Sequence, residues 1–218
     1  MQNVVIIGAG GFGREVKTII DAVNKVEKTY NFIGYYDDGI EKGTMINNFP
    51  VLGNLQELNS ISEAISVLLG IGDPTTKSKI IAKLSNDKIN FPTLIHPSVQ
   101  ISDDEVTISK GCIICSGTII TCNIVIGSFV TLNLMCTIGH DTIVDDFSSF
   151  MPSVNISGEV HIKESVYVGT GAKIINQVII GSGTIVGAGA VVSKSLPENC
   201  TAVGIPAKPI KFHNDECN

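Results

Sequence analysis

Residues 108–192 read, in blocks of six, ISKGCI ICSGTI ITCNIV IGSFVT LNLMCT IGHDTI VDDFSS FMPSVN ISGEVH IKESVY VGTGAK IINQVI IGSGTI VGAGAV V. Every block begins with an apolar residue, and the fifth place of every complete block holds a small or β-branched one. Fifteen consecutive apolar starts at one phase do not arise by chance in a chain that is 44% apolar. This internal repeat therefore decides the fold of its half of the chain.

A period of six residues is typical of a β-solenoid, in which a sharp bend follows each short strand. Block starts and fifth places would point inward and form ladders of Ile and Val, which pack well on a pleated backbone. Glycine often follows a block start, as at Gly127, Gly139 and Gly169, and we interpret it as the residue that a tight corner requires. With three blocks to a triangular coil, the stretch predicts about five coils at a spacing of about 4.8 Å.

The whole chain has 218 residues, enough for one or two domains with their own cores. Its net charge of −6 argues against nucleic acid as a partner, because phosphate binding needs clustered Lys and Arg. No apolar run reaches the length of a membrane-spanning helix, and no signal segment precedes the first strand, so we expect a cytoplasmic protein without membrane insertion. The six cysteines include one CxxC, at Cys112 and Cys115, without a second zinc-ligand pair, which favours reduced structural thiols and no bound metal.

The first 95 residues predict an α/β domain. Residues 3–8 form a short apolar run that ends in glycine, residues 14–26 have a helical pattern, and residues 32–36 predict a second strand. The glycine loop between the first strand and the helix aims backbone N–H groups at a phosphate. The candidate substrate-binding residues of this region are Gly8, Gly10, Gly11, Phe12, Gly13, Asp37 and Asp38.

Three interpretations of this glycine loop are open. Asp37 follows Gly13 at about the spacing at which a dinucleotide-binding fold places its ribose-binding acid, which favours NAD or FAD. The segment is too short for a complete dinucleotide fold, however, and its half-size unit fits a mononucleotide or a nucleotide-linked sugar better. In the third interpretation the glycines only allow the helix and the strand to pack closely.

A second pair of glycines is predicted at the same edge of the sheet. Residues 64–71 predict a strand that leads into Gly70 and Gly72, and Asp73 is the expected N-cap of a helix over 74–84. Because ligands of open α/β sheets bind at the carboxyl ends of the strands, Gly70 and Gly72 are further candidates for substrate binding.

The chemistry of the repeat lies outside its apolar ladders. His140 and Asp141 occupy the third and fourth places of their block, so both lie at or near a corner of a coil, and Asn133 lies in the preceding block. A histidine beside a carboxylate can act as a general base that is held in one tautomer.

Both flanks of the solenoid are predicted as well. We place the α/β domain at 1–95, the solenoid at 96–195 and a tail at 196–218, with a last short strand of the α/β domain at 91–95. Residues 201–210 contain two prolines and a glycine, so we expect an extended, loop-like tail along the terminal coil. The polar end from His213 to Asn218 is expected to fray.

Three motifs in a fixed order, GAGGFGREV at the start, IGHDTIV in the repeat and VGIPAKPI in the tail, resemble one family over about residues 3–211. It is the family of bacterial sugar acetyltransferases, in which an α/β Rossmann-like domain precedes an all-β, left-handed parallel β-helix of hexapeptide repeats. Its members N-acetylate nucleotide-linked amino sugars for glycan biosynthesis or O-acetylate sialic acid. The left hand is implied by this resemblance alone, since general crossover rules favour the right hand.

The resemblance implies a homotrimer with acetyl-CoA in the groove between neighbouring coils. It implies that His140 is the general base, that Asp141 orients it, and that the Gly158 amide faces the thioester carbonyl. Further contacts to acetyl-CoA are implied for Asn133, Ser149, Gly169, Thr170, Ala188, Gly204, Pro206 and Lys208. The acceptor's nucleotide would lie at the first glycine loop, beside Asp37, Asp38, Gly70 and Gly72.

Two positions depart from relatives that often carry histidine there, namely Phe12 in the glycine loop and Ser149 in the coil after His140. The resemblance therefore leaves two acceptors open: a nucleotide-linked amino sugar for N-acetylation, and sialic acid or a related sugar for O-acetylation. The alternatives from other classes are a nicotinamide-dependent oxidoreductase, which would bind NADH, and a non-catalytic solenoid scaffold, which would release no thiol from acetyl-CoA.

Overall fold

The computed structural model describes residues 1–213, so residues 214–218 of the end that we expect to fray lie outside the described part. The first part of the chain is an α/β domain. Its strands are β1 (Gln2–Ile7), β2 (Tyr30–Tyr36), β3 (Met45–Ile46), β4 (Phe49–Gly53), β5 (Ile65–Leu69) and β6 (Ile89–Asn90). Its helices are α1 (Gly11–Val26), α2 (Leu55–Leu58) and α3 (Pro74–Lys83).

The sheet has the order β3-β4-β2-β1-β5-β6, and β1 runs parallel to both β2 and β5. Alternate side chains of β1 point to opposite faces. Val4 and Ile6 belong to the apolar cluster of α1, whereas Val5 and Ile7 belong to the cluster of α2 and α3. The carboxyl ends of β1, β2 and β5 therefore meet at one edge between two layers of helices.

The two longer helices of this domain begin differently. The carboxylate of Asp73 accepts the backbone N–H of Thr76 at 2.7 Å, with Pro74 in the first turn of α3, so the predicted N-cap is confirmed. Helix α1 begins at Gly11, three residues earlier than expected. Its N-cap residue is Gly10, which has no side chain to satisfy the first amides of the helix.

A parallel β-solenoid follows, with strands of two or three residues on three faces. The first face contains β7 (Leu94–Ile95), β10 (Ile113–Ile114), β13 (Thr131–Leu132), β16 (Ser149–Phe150), β19 (Tyr167–Val168) and β22 (Ile185–Val186). The second contains β8 (Gln100–Ile101), β11 (Ile119–Ile120), β14 (Thr137–Ile138), β17 (Asn155–Ile156), β20 (Lys173–Ile174) and β23 (Val191–Val192). The third contains β9 (Val106–Ile108), β12 (Ile124–Ile126), β15 (Ile143–Val144), β18 (His161–Ile162) and β21 (Ile179–Ile180).

The register of the solenoid confirms three blocks of six to each coil. Thr131 pairs with Ser149, and Ser149 pairs with Tyr167, each 18 residues further along the chain. From Ile114 to Val192 every block start is at most 3% exposed, as the apolar ladder predicted. Ile108, which opens the repeat, is partly buried against the same core.

The solenoid begins before the stretch in which the repeat was found. The strand predicted at 91–95 as the last of the α/β domain is wrong, because β7 pairs with β10 and opens the solenoid. β7 and β8 pair with their partners at a distance of 19 residues, whereas β9 pairs with β12 at 18. One additional residue between Ile101 and Ile108 thus shifts the phase and hides the first coil from a count in sixes.

The glycines that follow block starts have a different physical reason from the one that we predicted. A Cβ on Gly139 would lie 2.6 Å from the carbonyl carbon of Ser157 in the next coil, so glycine is needed for close stacking of coils. The left-handed corner residue comes two positions later and is often not glycine. Phe129, Asp141 and Phe147 occupy it with φ of 58°, 57° and 62°.

The tail is a β-hairpin rather than the extended loop that we expected. β24 (Cys200–Gly204) extends the first face beside β22 and pairs antiparallel with β25 (Ala207–Phe212). The two prolines that suggested a loop are compatible with this hairpin. Pro206 lies in its turn, and Pro209 lies in the strand at the edge of the sheet, where a missing N–H is tolerated.

The α/β domain packs on the first face of the solenoid and on the corner beside it. Leu94 and Ile113 belong to the same apolar cluster as α1. At the corner, the rings of Phe129 and Phe147 stack with centroids 5.3 Å apart, within the cluster of α3. Lys77 of α3 is 1% exposed and donates from Nζ to the carbonyl of Phe129 at 2.7 Å. These contacts fix the edge of the α/β sheet relative to the coils.

Candidate active site

One corner of the solenoid carries polar side chains at the left-handed position of five successive coils, the first of them Glu105. The others are Asn123, Asp141, Glu159 and Gln177, each 18 residues after the previous one, and we call this edge the polar corner. Asn123 donates from Nδ2 to Oδ1 of Asp141 at 3.0 Å, and Gln177 donates from Nε2 to Oε2 of Glu159 at 2.6 Å. The polar corner joins the second and third faces.

His140 precedes Asp141 on the polar corner, and its Nδ1 lies 2.7 Å from Oδ2 of Asp141. Because a carboxylate only accepts hydrogen bonds, the neutral imidazole carries its proton on Nδ1 and keeps the lone pair of Nε2 for a substrate. The side chains of His140 and Asp141 are 57% and 48% exposed, so a ligand can reach the pair.

Two donors hold the carboxylate of Asp141. The hydrogen bond from His140 contributes most to lowering the pKa of Asp141, and the bond from Asn123 lowers it further. Asp141 therefore stays ionised at neutral pH, with one oxygen bound to each neighbour. Asn123, Asp141 and His140 are thus connected in a row by two hydrogen bonds. The sequence reasoning missed Asn123, although a step of 18 residues back from Asp141 leads directly to it.

Gly158, in the next coil, lies directly against the imidazole of His140. A Cβ on Gly158 would lie 2.8 Å from Nδ1 of His140 and closer still to Cε1 and Nε2, so only glycine leaves room for the ring. Within residues 1–213 the N–H of Gly158 donates no hydrogen bond. The structure thus brings His140, Asp141 and Gly158 together in one place.

Most of the other residues that we predicted to contact acetyl-CoA lie at another corner, between the first and second faces, which we call the second corner. The coil residues there are Gly169, Thr170 and Ala188, and the tail hairpin beside β22 contributes Gly204, Pro206 and Lys208. A Cβ on Gly169 would lie 2.6 Å from the backbone nitrogen of Ala188, so the two coils are in tight contact. Within one chain the second face separates the second corner from the polar corner.

Asn133 and Ser149 are buried away from the polar corner: Ser149 lies in β16 on the first face, and Asn133 directly follows β13, in register with Gly169 at the second corner. Oδ1 of Asn133 accepts the backbone N–H of Leu134 at 2.7 Å. The hydroxyl of Ser149 is fully buried and has no hydrogen-bond partner among residues 1–213. The structure therefore does not bring these two residues to His140 of the same chain.

Close packing accounts for several glycines at the edge of the α/β sheet. Gly8 has φ of +94°, a Cβ on Gly13 would collide with the carbonyl group of Gly8, and a Cβ on Gly70 would lie 2.6 Å from Cα of Gly13. These contacts favour the interpretation in which the glycines let helix and strand approach each other. Gly10 and Gly11 have open space at the Cβ position, so a ligand can approach their backbone.

The two aspartates that follow β2 have different partners. Both carboxylate oxygens of Asp37 accept backbone N–H groups, from Ala9 at 2.9 Å and from Gly39 at 2.8 Å. Asp37 therefore ties the glycine loop to the end of β2, and it also lines a cavity at the edge of the sheet. Asp38 accepts the N–H of Leu55 with Oδ1 at 2.8 Å and lines a cavity at the edge of the sheet.

The remaining predicted substrate residues lie toward the ends of this edge. Phe12 is partly buried against the apolar cluster of α1. A Cβ on Gly72 would lie 3.8 Å from Cε of Met151, which directly follows the first-face strand β16. The carboxyl-end edge of the α/β sheet thus meets the solenoid at Gly72.

A groove runs along the same edge and contains residues that the sequence reasoning missed. Two adjoining cavities of about 420 Å³ and 300 Å³ share Asp38, Leu55 and Lys83 in their linings, and we call them together the edge groove. Lys79, one turn before Lys83 on α3, lines the second cavity. The N-cap and the proline predict helix α3, and in a helix Lys79 and Lys83, four residues apart, lie on one face. This pairing was the signal by which the sequence could have pointed to the two lysines.

Cys112, Cys115, Cys136 and Cys200 are buried free thiols. Burial raises the pKa of Cys115 and of Cys136 to about 12, so both stay protonated and unreactive at neutral pH. Among residues 1–213, no three His, Cys, Asp or Glu side chains are grouped so as to hold a metal ion. None of the helices in this range has the length and hydropathy of a membrane span.

Family models match both parts of the chain. The model of the PglD N-terminal domain matches residues 3–84, and that of the bacterial transferase hexapeptide (six repeats) matches residues 159–194. Over 211 residues the chain is 30% identical to GDP-perosamine N-acetyltransferase of Escherichia coli O157:H7, covering 94% of this chain and 95% of that relative.

Solved structures of similar chains agree over nearly the whole length. The acetyltransferase domain of PglB from Neisseria gonorrhoeae, in complex with acetyl coenzyme A, has 32% identity and a TM-score of 0.87, with 96% of this chain and 99% of that chain covered. A variant of perosamine N-acetyltransferase from Caulobacter crescentus, in complex with CoA and GDP-perosamine, has 28% identity and a TM-score of 0.86, with 97% and 98% covered.

A hexapeptide-repeat β-helix with a His–Asp pair at a coil corner, together with these relatives, defines the protein as an acyltransferase. Within that class, the chain belongs to the bacterial sugar acetyltransferases that carry an N-terminal Rossmann-like domain. The predicted family and fold class are confirmed.

Proposed function

We propose that the protein transfers the acetyl group of acetyl-CoA to the amine of a nucleotide-linked amino sugar, in the biosynthesis of surface glycans. The observation that carries this proposal is the relay of Asn123, Asp141 and His140 with Gly158 against the ring, in a chain that matches sugar N-acetyltransferases over nearly its whole length. Both proposed substrates are metabolites of the cytoplasm, which is where we expect the protein to act.

In the proposed reaction the neutral amine of the acceptor attacks the thioester carbonyl of acetyl-CoA. A C–N bond forms, the C–S bond then breaks, and CoA leaves as the thiolate. Nε2 of His140 takes the proton that the amine loses and passes it to the departing sulfur. Base catalysis of this kind contributes about 10²–10⁴-fold to the rate. The ionised Asp141 favours the imidazolium that forms during the attack.

The negative oxygen that develops during this attack needs a hydrogen-bond donor. The backbone N–H of Gly158 lies beside the imidazole and makes no hydrogen bond within residues 1–213, so it is our candidate for the oxyanion donor. One such donor contributes about 10²–10³-fold.

A second copy of the chain completes the donor site in this proposal. His140 lies at the polar corner, whereas Gly169, Ala188 and the tail hairpin lie at the second corner of the same chain. We propose that the polar corner of one copy faces the second corner of the next and that acetyl-CoA lies between them. Head-to-tail contacts of this kind close into a ring, here a homotrimer.

A thiol-release screen tests the proposal. The protein is incubated with acetyl-CoA and, one at a time, UDP-, dTDP- and GDP-linked amino sugars and free sialic acid. We expect thiol release with at least one nucleotide-linked amino sugar and none with sialic acid. Release with sialic acid alone would replace N-acetylation by O-acetylation, and no release with any acceptor would favour a scaffold. Light scattering after size exclusion measures whether three chains associate.

A further inference from the structure

A cavity of about 620 Å³ opens on the second face, in the first two coils of the solenoid, and we call it the coil cavity. Its wall follows the strands β8 and β11 toward the polar corner and ends at Asp104 in the first coil and at Cys122 in the second. None of the residues that we propose as base, oxyanion donor or acetyl-CoA contact lines it. The coil cavity is thus a separate space beside the proposed site of the chemistry.

Cys122 connects this cavity with His140. It occupies the same place one coil earlier, 18 residues before His140, and its carbonyl accepts the N–H of Asp141 at 3.1 Å. The two coils are therefore stacked directly, at a spacing of about 4.8 Å. In the following coil the same place belongs to Gly158, and the imidazole lies where a Cβ of that glycine would be. One face of the ring is thus turned to Gly158, and the other is turned to Cys122 and the coil cavity.

The proposed donor site lies on the opposite side of His140. Gly169, Ala188 and the tail hairpin all belong to later coils of the solenoid. In the proposed homotrimer, with its axis along the solenoid, each coil has the same height in all three copies. Acetyl-CoA would therefore extend from His140 toward the C-terminal coils. Because two substrates cannot occupy the same volume, the amine of the acceptor has to reach Nε2 from the N-terminal coils, where the coil cavity lies.

The lining of the coil cavity has the chemistry that a sugar ring requires. Ile119 is 39% exposed and offers an apolar surface to the C–H groups of the ring. Gln100 is its partner in the register, and a side-chain amide both donates and accepts hydrogen bonds. Among the described residues that line the cavity, Asp104 carries the only charge, and its carboxylate takes part in no ion pair or side-chain hydrogen bond within residues 1–213.

The position of Asp104 fits the far end of such a ring. It lies 36 residues, or two coils, before His140, which corresponds to about 10 Å along the solenoid. One sugar ring with a hydrogen bond at each end spans this distance. Asp104 would therefore accept from a hydroxyl of the sugar, while the reacting amine lies at His140.

We infer that the coil cavity holds the sugar ring of the acceptor beside His140, and that Asp104 at its far end selects an amino sugar over sialic acid. The charge of Asp104 repels the carboxylate of sialic acid, whereas an amino sugar carries no negative charge on its ring. This inference rests on the proposed function and assigns its specificity to one residue. The competing occupants of the cavity are the pantetheine arm of CoA and a neighbouring copy of the chain.

The partly exposed thiol of Cys122 reports whether the coil cavity is occupied. Burial raises the pKa of Cys112 to about 11 and the pKa of Cys115 and of Cys136 to about 12, so these thiols react slowly. The full chain, with Cys217→Ser to remove a thiol outside the described residues, is treated with iodoacetamide, and alkylated Cys122 is measured by peptide mapping. UDP-, dTDP- and GDP-linked amino sugars, the nucleotides alone, free sialic acid and desulfo-CoA, which has no thiol, are added one at a time.

At least one nucleotide-linked amino sugar slows the alkylation of Cys122 about tenfold at about ten times its Kd, because only the unoccupied protein reacts. The nucleotides alone, sialic acid and desulfo-CoA leave the rate unchanged. Asp104→Asn raises the sugar concentration needed for protection about tenfold, because a charge-assisted hydrogen bond is lost.

The matched control is Asp103→Asn, which removes the neighbouring exposed carboxylate that does not line the cavity. It leaves the protection of Cys122 unchanged. Both substitutions lie at the surface of the first coil and keep the unfolding temperature, which is measured alongside.

No protection by any amino sugar, or protection by desulfo-CoA or by a nucleotide alone, would overturn the place assigned to the sugar ring. So would a Cys122 that does not react in the free protein, since a neighbouring copy would then fill the cavity. Protection by sialic acid, or an equal effect of Asp104→Asn and Asp103→Asn, would overturn the role of Asp104. The labelling needs no turnover, so protection by an amino sugar that releases no thiol from acetyl-CoA would refute the proposed function and leave the assignment of the cavity standing.

Discussion

The solenoid and the α/β domain differ in how far apart in the sequence two residues are when they lie side by side in the structure. From β9 to β23 of the solenoid each residue lies beside those 18 positions away, so Asn123, Asp141 and Glu159 form one line at the polar corner. In the α/β domain the neighbours come from distant segments, as Gly13 and Gly70 do. A polar residue on a coil can therefore be placed by counting, whereas a glycine at a sheet edge is compatible with both ligand binding and close packing.

The largest expected effect is the loss of kcat when the histidine at the polar corner is replaced. His140→Ala removes the proposed base, so kcat falls about 10²–10⁴-fold in the thiol-release assay while the unfolding temperature is kept. The matched control is His161→Ala, since His161 also lies beside an aspartate, with Nε2 3.2 Å from Asp145, but on the third face. An equal loss of kcat in both variants would show that a histidine at the polar corner matters no more for the reaction than one on the third face.

A smaller loss is expected from Gly158→Ala. The added Cβ would occupy the space of the imidazole, so the ring must turn away from the substrate, and misplacement by about 1 Å can cost about 10²-fold in kcat. KM for the acceptor changes little, because the α/β domain, where we predict that the acceptor's nucleotide binds, is untouched. A normal kcat in this variant would show that the position of the ring over Gly158 is not needed.

Asn123→Ala is expected to lower kcat/KM about tenfold and to change its pH dependence. The pKa of Asp141 is depressed, so the contribution of its carboxylate is present at neutral pH and is lost as the pH falls through that low pKa. Without Asn123 the pKa of Asp141 rises and the acid limb of kcat/KM moves to higher pH. The profile is measured from about pH 2.5 to 8, because the depressed pKa lies below the usual value of about 3.9 for aspartate.

The control for that experiment is Asn155→Ala, which removes a similar side-chain bond on the second face, where Asn155 donates to Oγ1 of Thr137 at 2.9 Å. Its acid limb stays in place. An unchanged acid limb in Asn123→Ala, or an equal shift in both variants, would contradict a positioning role for Asn123.

The smallest effect is expected at the seam between the two regions. Burial lowers the pKa of Lys77 from 10.5 to about 7. Between these values the unfolded chain binds more protons than the folded one, so this group makes stability rise as the pH increases. Lys77→Met removes that rise. For each kcal/mol of this pH-dependent stability that the variant lacks, its rise in Tm between about pH 7 and 9 is smaller than that of the wild type by about 2–4 °C.

Lys88→Met, an exposed lysine with a loose 3.8 Å contact to Asp87, is the control for Lys77→Met and keeps the wild-type pH slope. The slope is read from thermal unfolding curves at the two pH values. The same slope in Lys77→Met as in the wild type would mean that Lys77 stays protonated in the folded protein.

Much of the solenoid could be predicted from the sequence because its period acts on every residue. Counting in sixes located the buried ladder from Ile114 to Val192, and the adjacency of His140 and Asp141 pointed to their hydrogen bond. The same count failed where one extra residue between Ile101 and Ile108 changed the phase. The hairpin was missed because proline weakens a strand prediction without revealing that Pro209 lies on an edge.

In the α/β domain the strands and helices were predictable, but the partners of individual side chains were not. Asp37 has the spacing of a ribose-binding acid, but its hydrogen bonds to the amides of Ala9 and Gly39 could not be predicted from that spacing. Lys79 and Lys83 have no sequence motif, and their proximity to Asp38 follows only from how α3 packs on the sheet. Long-range packing decides such contacts, and a local pattern does not contain it.

The 18-residue register also limits how such a chain can change in evolution. Duplication of one whole coil would lengthen the solenoid by about 4.8 Å and keep every edge in line. The one-residue insertion between Ile101 and Ile108 is absorbed within the first coil, because strands on both sides of it stay paired, and it lies before the coils that carry His140 and Gly158. Inheritance by whole coils therefore preserves the spacing between reacting groups while the length of the protein varies.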